Sequence, residues 1–410
     1  MPEGADGADI AMIPDPSHIA PLGRILIVGN YEPEKQESML RFASLLKRQM
    51  EAQGFEVSII QPKAISLRLA GAAAHPLRGM GKWLGYLDKF VLFPLRLGRV
   101  VRQYDLVHIC DHSNAMYGRW TKGKPWMLTC NDMLAVRSAL GEFSPLNSVR
   151  WSGRVLQQWI AKWIARAPRV ACISSATRED VLRITAQTPP NVEVIHMGLN
   201  YPYQPRTEAD WRPVVAELFV RNGLAPNIPH VVHIGGNQWY KNRMGVVRLF
   251  ALAASERPDL HLVMAGKAPN DELLEEISRL GIGERVHFVG AVSNPELEAL
   301  YHSAECLVFP SLAEGFGWPV IEAQSCGCRV AASNCPPLPE VGGSSCLYLD
   351  LTDLTIAARQ FLDMLRESPS EKALRVREGL INVRQFDPAI MGRRYLELYQ
   401  SILTNARGAK

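Results

Sequence analysis

Several features that mark particular protein classes are missing from this 410-residue sequence. No run of about 18 mostly apolar residues occurs, so no membrane-spanning helix is expected. The eight cysteines are scattered. The single close pair, Cys326 and Cys328, lacks a second pair or histidines at zinc-binding spacing, which argues against a metal site.

The first twenty residues hold four acidic residues and no Lys or Arg. This is the wrong charge for a secretory or mitochondrial signal. We therefore expect residues 1–20 to form a disordered acidic tail and the protein to be cytoplasmic.

The length and the charge distribution favour two domains of different character. A chain of 410 residues is long for a single core. Residues 21–200 carry 24 Lys or Arg against 13 Asp or Glu, a net charge of +11. Residues 201–410 carry 21 against 24, a net charge of −3. A basic first half favours an anionic surface or substrate.

Both halves alternate strand-like and helix-like segments. Residues 24–30 form an apolar strand that ends in glycine, an amphipathic helix spans 36–53, and a second strand spans 55–60. The second half restarts this order with a strand at 230–234. Strand–helix–strand repeats predict an α/β fold with parallel, doubly wound sheets. We expect domains over 21–200 and 203–385, joined by a linker at 198–202.

One stretch, residues 305–327, carries the most specific pattern: ECLVFPSLAEGFGWPVIEAQSCG. An apolar strand is followed by a glycine loop and by a helix that begins at Trp318-Pro319. The free N–H groups at such a helix start form an anion site that suits a diphosphate. Glu314 and Glu322 would repel phosphate and therefore suit hydroxyl groups. The pattern indicates a nucleotide-sugar pocket; the alternative is a plain strand–loop–helix connection with surface acids.

With these residues the sequence resembles the retaining glycosyltransferases of family 4, which have the GT-B fold and an E-x7-E element matched by Glu314 and Glu322. The resemblance implies two Rossmann-like domains facing across a cleft, with helix 388–404 packed back on the first. It implies transfer of a hexose from a nucleotide sugar with retention of configuration. It places Glu314 by the transferred sugar, Glu322 on the ribose, and the loop backbone near sugar and diphosphate: Gly315, Phe316, Gly317 and Trp318.

Further donor-side candidates follow other strands of the second half. Lys241 comes shortly after Gly235 and Gly236, and its ammonium suits a diphosphate as a point charge. The family commonly has an arginine where this chain has Gly236. Lys267 is a second phosphate candidate, and the resemblance places the backbone at Val292 by the base. The alternative for both lysines is a solvated surface position.

The first half departs from the family pattern at a strand end. The family tends to have His-Asp there, and this chain has Asn131-Asp132. Asparagine cannot act as a base, but its amide can hydrogen-bond sugar hydroxyls. His112, at a neighbouring strand end, could take the place of the family's histidine in catalysis. The alternative is a structural histidine that only forms hydrogen bonds. Gly29 and Asn30 are the acceptor-side candidates, although the glycine-rich loop common in the family is absent.

Residues 63–104 form a basic segment with interleaved aromatic and aliphatic residues. It holds eight Lys or Arg and a single acid, Asp88. This composition suits an anionic membrane surface. The alternative is a helical region packed on the sheet with its charges in water. A nucleic-acid-binding patch would also fit the charge, but no motif supports it. From the basic first domain we expect a lipid-linked or polysaccharide acceptor at the inner face of a membrane.

The sequence also bears on metal dependence and on alternative activities. No Asp-x-Asp occurs in the sequence, so the metal-dependent alternative fold of glycosyltransferases is not supported, and we expect no metal or other cofactor. The candidate catalytic residues are Glu314, Lys241, Asn131 and His112. Rival interpretations are a GT-B epimerase or phosphorylase, or a catalytically degenerate sugar-nucleotide-binding protein. The donor base, sugar, acceptor and linkage stay open.

Overall fold

The structure is a computed structural model that describes residues 22–34, 36–69 and 79–408. The expected acidic tail, residues 1–20, lies outside the described residues. So do residues 70–78 of the basic segment.

Six parallel strands form the first sheet, in the order β2-β1-β3-β4-β5-β6. The strands are β1 Arg24–Val28, β2 Glu56–Ile60, β3 Leu106–Ile109, β4 Trp126–Cys130, β5 Val170–Cys172 and β6 Val192–Val194. The helices between and around them are α1 Glu37–Ala52, α2 Ile65–Leu69, α3 Gly79–Leu87, α4 Phe93–Val100, α5 Leu134–Ala139, α6 Trp151–Ile164 and α7 Ser175–Thr185.

A second six-stranded parallel sheet follows, in the order β12-β11-β10-β7-β8-β9. Its strands are β7 His230–Gly235, β8 His261–Gly266, β9 Val286–Gly290, β10 Leu307–Phe309, β11 Val330–Ser333 and β12 Leu347–Leu349. The remaining helices are α8 Glu208–Arg221, α9 Arg243–Glu256, α10 Asp271–Arg279, α11 Asn294–Ser303, α12 Trp318–Ser325, α13 Leu338–Gly342, α14 Leu354–Leu365, α15 Pro369–Asn382 and α16 Pro388–Gly408. The predicted α/β class with two doubly wound sheets is confirmed.

Helices cover both faces of the first sheet, and β1 shows why its sequence is continuously apolar. Ile25 and Ile27 belong to the core beneath α1 and α16. Leu26 and Val28 belong to the core on the opposite face, with residues of α4 and α6. Strands of a parallel sheet that is covered on both faces lack the alternation of apolar and polar residues.

The last helix, α16, packs on the first sheet. Its Tyr399 hydroxyl lies 2.6 Å from His108 Nδ1, and its Tyr395 hydroxyl lies 2.9 Å from Thr129 Oγ1. The second ring nitrogen of His108 lies 2.8 Å from the same Thr129 hydroxyl. Burial lowers the pKa of His108 to about 3, so this histidine is a neutral structural residue inside the sheet.

The described part of the basic segment is helical and rests on the first sheet. A π-helical turn, Asp88–Leu92, joins α3 to α4. Phe93 and Leu97 enter the core, and Asp88 is buried, where it accepts hydrogen bonds from the Ser66 backbone N–H (2.8 Å) and the Tyr31 hydroxyl (3.1 Å). Of the helices in the described part of the chain, none has the length and apolar character that a bilayer span requires.

Candidate active site

The two domains touch at the loops that follow β4 and β10. A Cβ atom at Gly315 would lie 2.1 Å from the Asn131 carbonyl oxygen, so only glycine allows this approach. The Ser174 hydroxyl, from the start of α7, donates to the Gly315 carbonyl at 2.9 Å. The first domain therefore fixes the backbone next to Glu314.

Glu314 and Lys241 form an ion pair at this junction. Lys241 Nζ lies 2.7 Å from Glu314 Oε1, and the two side chains are 18% and 7% exposed. Lys241 ends a short 3-10 turn that follows β7, and its ammonium lies 5.0 Å from the centre of the Phe309 ring in β10. A nearly buried carboxylate requires a partner, and Lys241 supplies it at the carboxyl end of the sheet, where ligands of such folds bind.

Helix α12 begins beside Glu314. Gly317 precedes it with a φ of 104°, a conformation that favours glycine. The Trp318 indole donates to the Gly198 carbonyl at 3.0 Å, which ties the helix start to the interdomain linker. Phe316 is buried and packs on Phe386, with ring centres 5.6 Å apart. In the first turn of α12, Pro319 has no N–H and the Val320 N–H donates to the Gly317 carbonyl at 2.9 Å. The N–H groups of Gly317 and Trp318 therefore remain to meet an anion at this helix start.

Glu322, in the second turn of α12, is buried, as is its partner Tyr301, whereas its partner Asn200 is half-buried. Its Oε1 accepts from the Asn200 amide and its Oε2 from the Tyr301 hydroxyl, both at 3.1 Å. Burial raises the pKa of Glu322, although these two hydrogen bonds act in the opposite direction. Each carboxylate oxygen retains a lone pair that can accept from a further hydroxyl.

A second cation, which the sequence did not reveal, lies near the loop after β7. Arg243 is buried and donates to Asn237 Oδ1 and to the Ala268 carbonyl. Its Nε and Nη2 have no hydrogen-bond partner among the described residues, and burial lowers its pKa. Burial, with Arg243 and Lys241 nearby, lowers the pKa of His233 to about 4. In the sequence Arg243 reads as an ordinary first residue of a helix.

The first-domain candidates have mixed environments. Asn131 donates to the Cys110 carbonyl at 3.0 Å, and its buried Oδ1 has no partner in the described part of the chain. His112 is buried, 3.4 Å from Asp111, without a hydrogen bond at Nδ1. The Asn30 side chain donates to Asp111 and accepts from Asn114 at 3.0 Å, so it is already engaged. An added Cβ at Gly29 would meet Gln61 at an ordinary 3.5 Å.

A small cavity of about 150 Å³ opens between the domains at Glu314. Its lining includes Asp132, Arg137, Phe143 and Asp180 of the first domain. Arg137 Nη1 lies 3.1 Å from Asp180, and the Arg137 guanidinium stacks 4.7 Å from the centre of the Phe143 ring. Carboxylates beside an aromatic ring suit hydroxylated ligands better than phosphate.

Glu340 forms a further bridge between the domains. Its carboxylate accepts from His196 Nε2 at 2.6 Å and from the Ser175 backbone N–H at 3.0 Å. Ser175 is the first residue of α7, where a negative charge is stabilised by the helix dipole. Burial opposes ionisation, but the hydrogen bonds from His196 and Ser175 hold the pKa of Glu340 below its usual value.

The described residues contain one group of three side chains close enough to share a metal ion: Glu298, His302 and Cys326. Arg206 Nε lies 3.4 Å from Glu298, and His302 Nε2 lies 3.1 Å from the Gln204 carbonyl. Because the Arg206 guanidinium already compensates the Glu298 carboxylate, this group of three side chains fits a metal ion poorly.

Sequence models of two families match the chain on either side of the interdomain linker. Residues 40–201 match "Glycosyltransferase Family 4" and residues 215–345 match "Glycosyl transferases group 1". Together the matched segments cover well over half of the chain. The chain belongs to the GT-B glycosyltransferases of family 4 type. The resemblance carried by the E-x7-E element is thereby confirmed.

Two curated relatives show how far the similarity extends. The O-antigen chain mannosyltransferase B of Escherichia coli is 27% identical over 249 residues, which are 60% of this chain and 62% of the relative. The MMP alpha-(1->4)-mannosyltransferase of Mycolicibacterium hassiacum is 33% identical over 227 residues, 53% of this chain and 50% of the relative. The match thus spans between half and two thirds of these relatives.

A solved structure covers the fold almost completely. The crystal structure of Anabaena Alr3699/HepE in complex with UDP and glucose matches with a TM-score of 0.67 and 18% identity. The match covers 92% of this chain and 100% of that chain. At this identity the similarity supports the GT-B fold.

In this GT-B glycosyltransferase the predicted residues fall into three groups. Glu314, Lys241, Gly315 and Asn131 meet at the domain junction. Glu322 lies outside this group and is hydrogen-bonded to Asn200 and Tyr301. The sequence did not indicate either residue as a partner of Glu322. Lys267 is exposed just after β8, Val292 lies half-buried after β9, and His112 has no recorded contact with Glu314 within the described residues. The roles assigned to all of these residues stay predictions.

Replacing Lys241 by Met removes the cation beside Glu314 and keeps the side-chain length. We expect the rate of nucleotide release from the donor sugar to fall by roughly 10²–10³, the range for loss of one preorganised stabilising group. The matched variant Lys267→Met should lose less than about tenfold, because water and salt screen an exposed charge. Equal losses in the two variants, measured as kcat, would contradict the role of Lys241.

The Glu340 bridge predicts a pH-dependent contribution to stability. Because the pKa of Glu340 is lowered by folding, its contribution is present above the ordinary value of 4.5 and is lost as the pH falls through the folded-state pKa. Glu340→Gln should therefore lower the thermal unfolding midpoint at pH 7.5, and the gap should narrow as the pH falls below 4.5 and through the lowered folded-state pKa. The exposed Glu272→Gln is the control, and a gap that does not change with pH would refute the assignment.

Proposed function

We propose that the protein transfers a hexose from a nucleotide-sugar donor to a lipid-linked or polysaccharide acceptor, with retention of anomeric configuration and without a divalent metal. The observation that carries the proposal is the Lys241–Glu314 ion pair beside the start of α12, at the junction of two GT-B domains. A cation and free backbone N–H groups for a diphosphate, next to carboxylates that suit sugar hydroxyls, support this proposal.

The second domain holds the donor. The diphosphate lies at Lys241 and at the N–H groups of Gly317 and Trp318 at the start of α12, and the ribose hydroxyls reach Glu322. During transfer the bond between the anomeric carbon and the diphosphate oxygen breaks, and the acceptor oxygen forms the new bond on the same face. The acceptor proton passes to the departing diphosphate. Lys241 and the helix start stabilise the charge that grows on the diphosphate.

Glu314 and Asn131 orient the sugar. Asn131 Oδ1 is a buried acceptor without a partner in the described part of the chain, and such an atom gains from a ligand hydroxyl. The carboxylate of Glu314 accepts a further hydroxyl beside its ion pair with Lys241. Since asparagine holds no transferable proton at neutral pH, the acid–base work falls to the donor diphosphate.

Positive charge from the chain replaces a divalent ion in this proposal. Lys241 and the buried Arg243 lie on the diphosphate side, and the sequence contains no Asp-x-Asp. The acceptor class is supported by the basic first domain and by the name of the similar O-antigen chain mannosyltransferase.

A sugar-nucleotide-binding protein without transfer activity is the second candidate. The observation that favours it is Asn131, which takes the place of the histidine common in the family. Such a protein would bind donor nucleotides with the same pocket but release no product.

The proposal is tested by incubating the protein with UDP- and GDP-hexoses and a lipid extract of bacterial envelopes. We expect acceptor-dependent release of nucleotide, a product with the anomeric configuration of the donor by NMR, and an unchanged rate in EDTA. Glu314→Gln, which keeps the shape of the side chain, should lose at least about a hundredfold in rate.

Three results would contradict the proposal: an inverted product, loss of activity in EDTA, or turnover of the donor without acceptor. Donor binding with no product in any extract would favour the non-catalytic protein.

A further inference from the structure

An exposed apolar stripe runs along the helical segment from α3 to α4. Its members recur every three to four residues and point to solvent: Met80, Trp83, Leu87, Val91 and Leu95. Met80 is 75% exposed and Trp83 is 72% exposed. Single exposed apolar residues are ordinary, but a contiguous row of five marks an interaction site.

A second stripe on α6 continues the first. Trp151, Val155 and Trp159 are four residues apart on one helix face, and Trp151 is 79% exposed. The Trp159 ring centre lies 5.7 Å from that of Phe90, which also packs on Tyr86 at 5.5 Å. The two stripes thus form one surface, which we call the docking face.

The segments that form the docking face carry almost only positive charge. Residues 79–104 and 150–169 together contain ten Lys or Arg and one acid, Asp88, and Asp88 is buried. Arg96, Arg99 and Arg102 are exposed, and none forms an ion pair with a described residue. Two copies of this face would repel one another, whereas an anionic bilayer would attract both the cations and the apolar stripes.

We propose that the docking face seats the protein on the surface of an anionic lipid bilayer. Trp83 and Trp151 enter the interfacial region, where tryptophan is favoured, and the arginines contact lipid phosphates. The partner of the docking face is the bilayer itself. This inference rests on the exposed residues of the docking face and does not depend on the proposed transfer reaction.

The docking face also contacts the loop after β1, on the proposed acceptor side of the cleft. Its π-turn places Lys89 Nζ 2.8 Å from Glu34, in the loop that follows β1. In the same turn, buried Asp88 accepts from Tyr31 in that loop at 3.1 Å. The acceptor-side residues Gly29 and Asn30 directly precede Tyr31. If the proposed transfer is correct, the bilayer lies next to the acceptor side, which suits an acceptor anchored in lipid.

Sedimentation with vesicles tests the inference on the full-length protein. We expect binding to phosphatidylglycerol–phosphatidylcholine vesicles, weak binding to phosphatidylcholine alone, and loss of binding at high salt. Trp83→Ser with Trp151→Ser should weaken binding by at least about tenfold. Arg96→Glu, Arg99→Glu and Arg102→Glu together should weaken it by at least about a hundredfold, given roughly fivefold for the loss of each cation.

Matched variants on the second domain control for bulk effects. Val220→Ser with Ile381→Ser removes exposed apolar residues, and Arg359→Glu, Arg377→Glu and Arg384→Glu make the same change in net charge. Both should bind vesicles like the parent. Equal vesicle binding by the parent and all variants would overturn the inference. So would a parent protein that does not bind vesicles but forms a dimer that the two tryptophan changes dissociate.

Stabilisation by nucleotides, measured in the same variants, separates this inference from the proposed transfer. It should be unchanged when vesicle binding is lost. Vesicle binding in a protein that no nucleotide stabilises would leave the docking face standing and contradict the transferase proposal.

Discussion

The site depends on the neutralisation of one nearly buried carboxylate. Glu314 lies where the two domains meet, and the Lys241 ammonium, 2.7 Å away, is the cation that pairs with it. Removal of either partner would leave a buried charge uncompensated, which is far more costly than loss of a surface ion pair. In the proposed reaction the same ammonium also meets the diphosphate of the donor, so donor binding would alter the ion pair of Glu314.

The junction keeps this pair in place through contacts from both domains. Gly315 presses against the Asn131 carbonyl, Ser174 holds the Gly315 carbonyl, and Glu340 bridges His196 and α7. Phe143 and Trp239 add an aromatic contact across the junction, with ring centres 4.7 Å apart. Phe316, Ile321 and Val341 of the second domain also belong to the buried apolar cluster of the first domain, so polar and apolar contacts together hold the junction.

Much of the fold could be predicted from the sequence, because the period of apolar residues and the glycines at strand ends are local signals. The strand before Glu314, the glycine loop and α12 follow directly from residues 305–327. Long-range partners carry no local signal. His108 of β3, for example, is paired with Tyr399 of the last helix, and nothing in its own segment indicates this partner. The positions of Arg243 and Tyr301 near the site could not be predicted for the same reason. The apolar stripe on α6 is distant from the basic segment in the sequence, and only the fold brings the two together.

The central claim is that the cleft binds a sugar nucleotide through Glu322 and its neighbours. The most direct measurement is thermal unfolding with UDP, GDP and ADP, for the parent and for Glu322→Gln. The amide retains the hydrogen bond from Asn200, so the variant should fold. One nucleotide at 100 times its dissociation constant should stabilise the parent by about 2.7 kcal/mol, and the variant clearly less. No stabilisation of the parent by any of the three at millimolar concentration would contradict the claim.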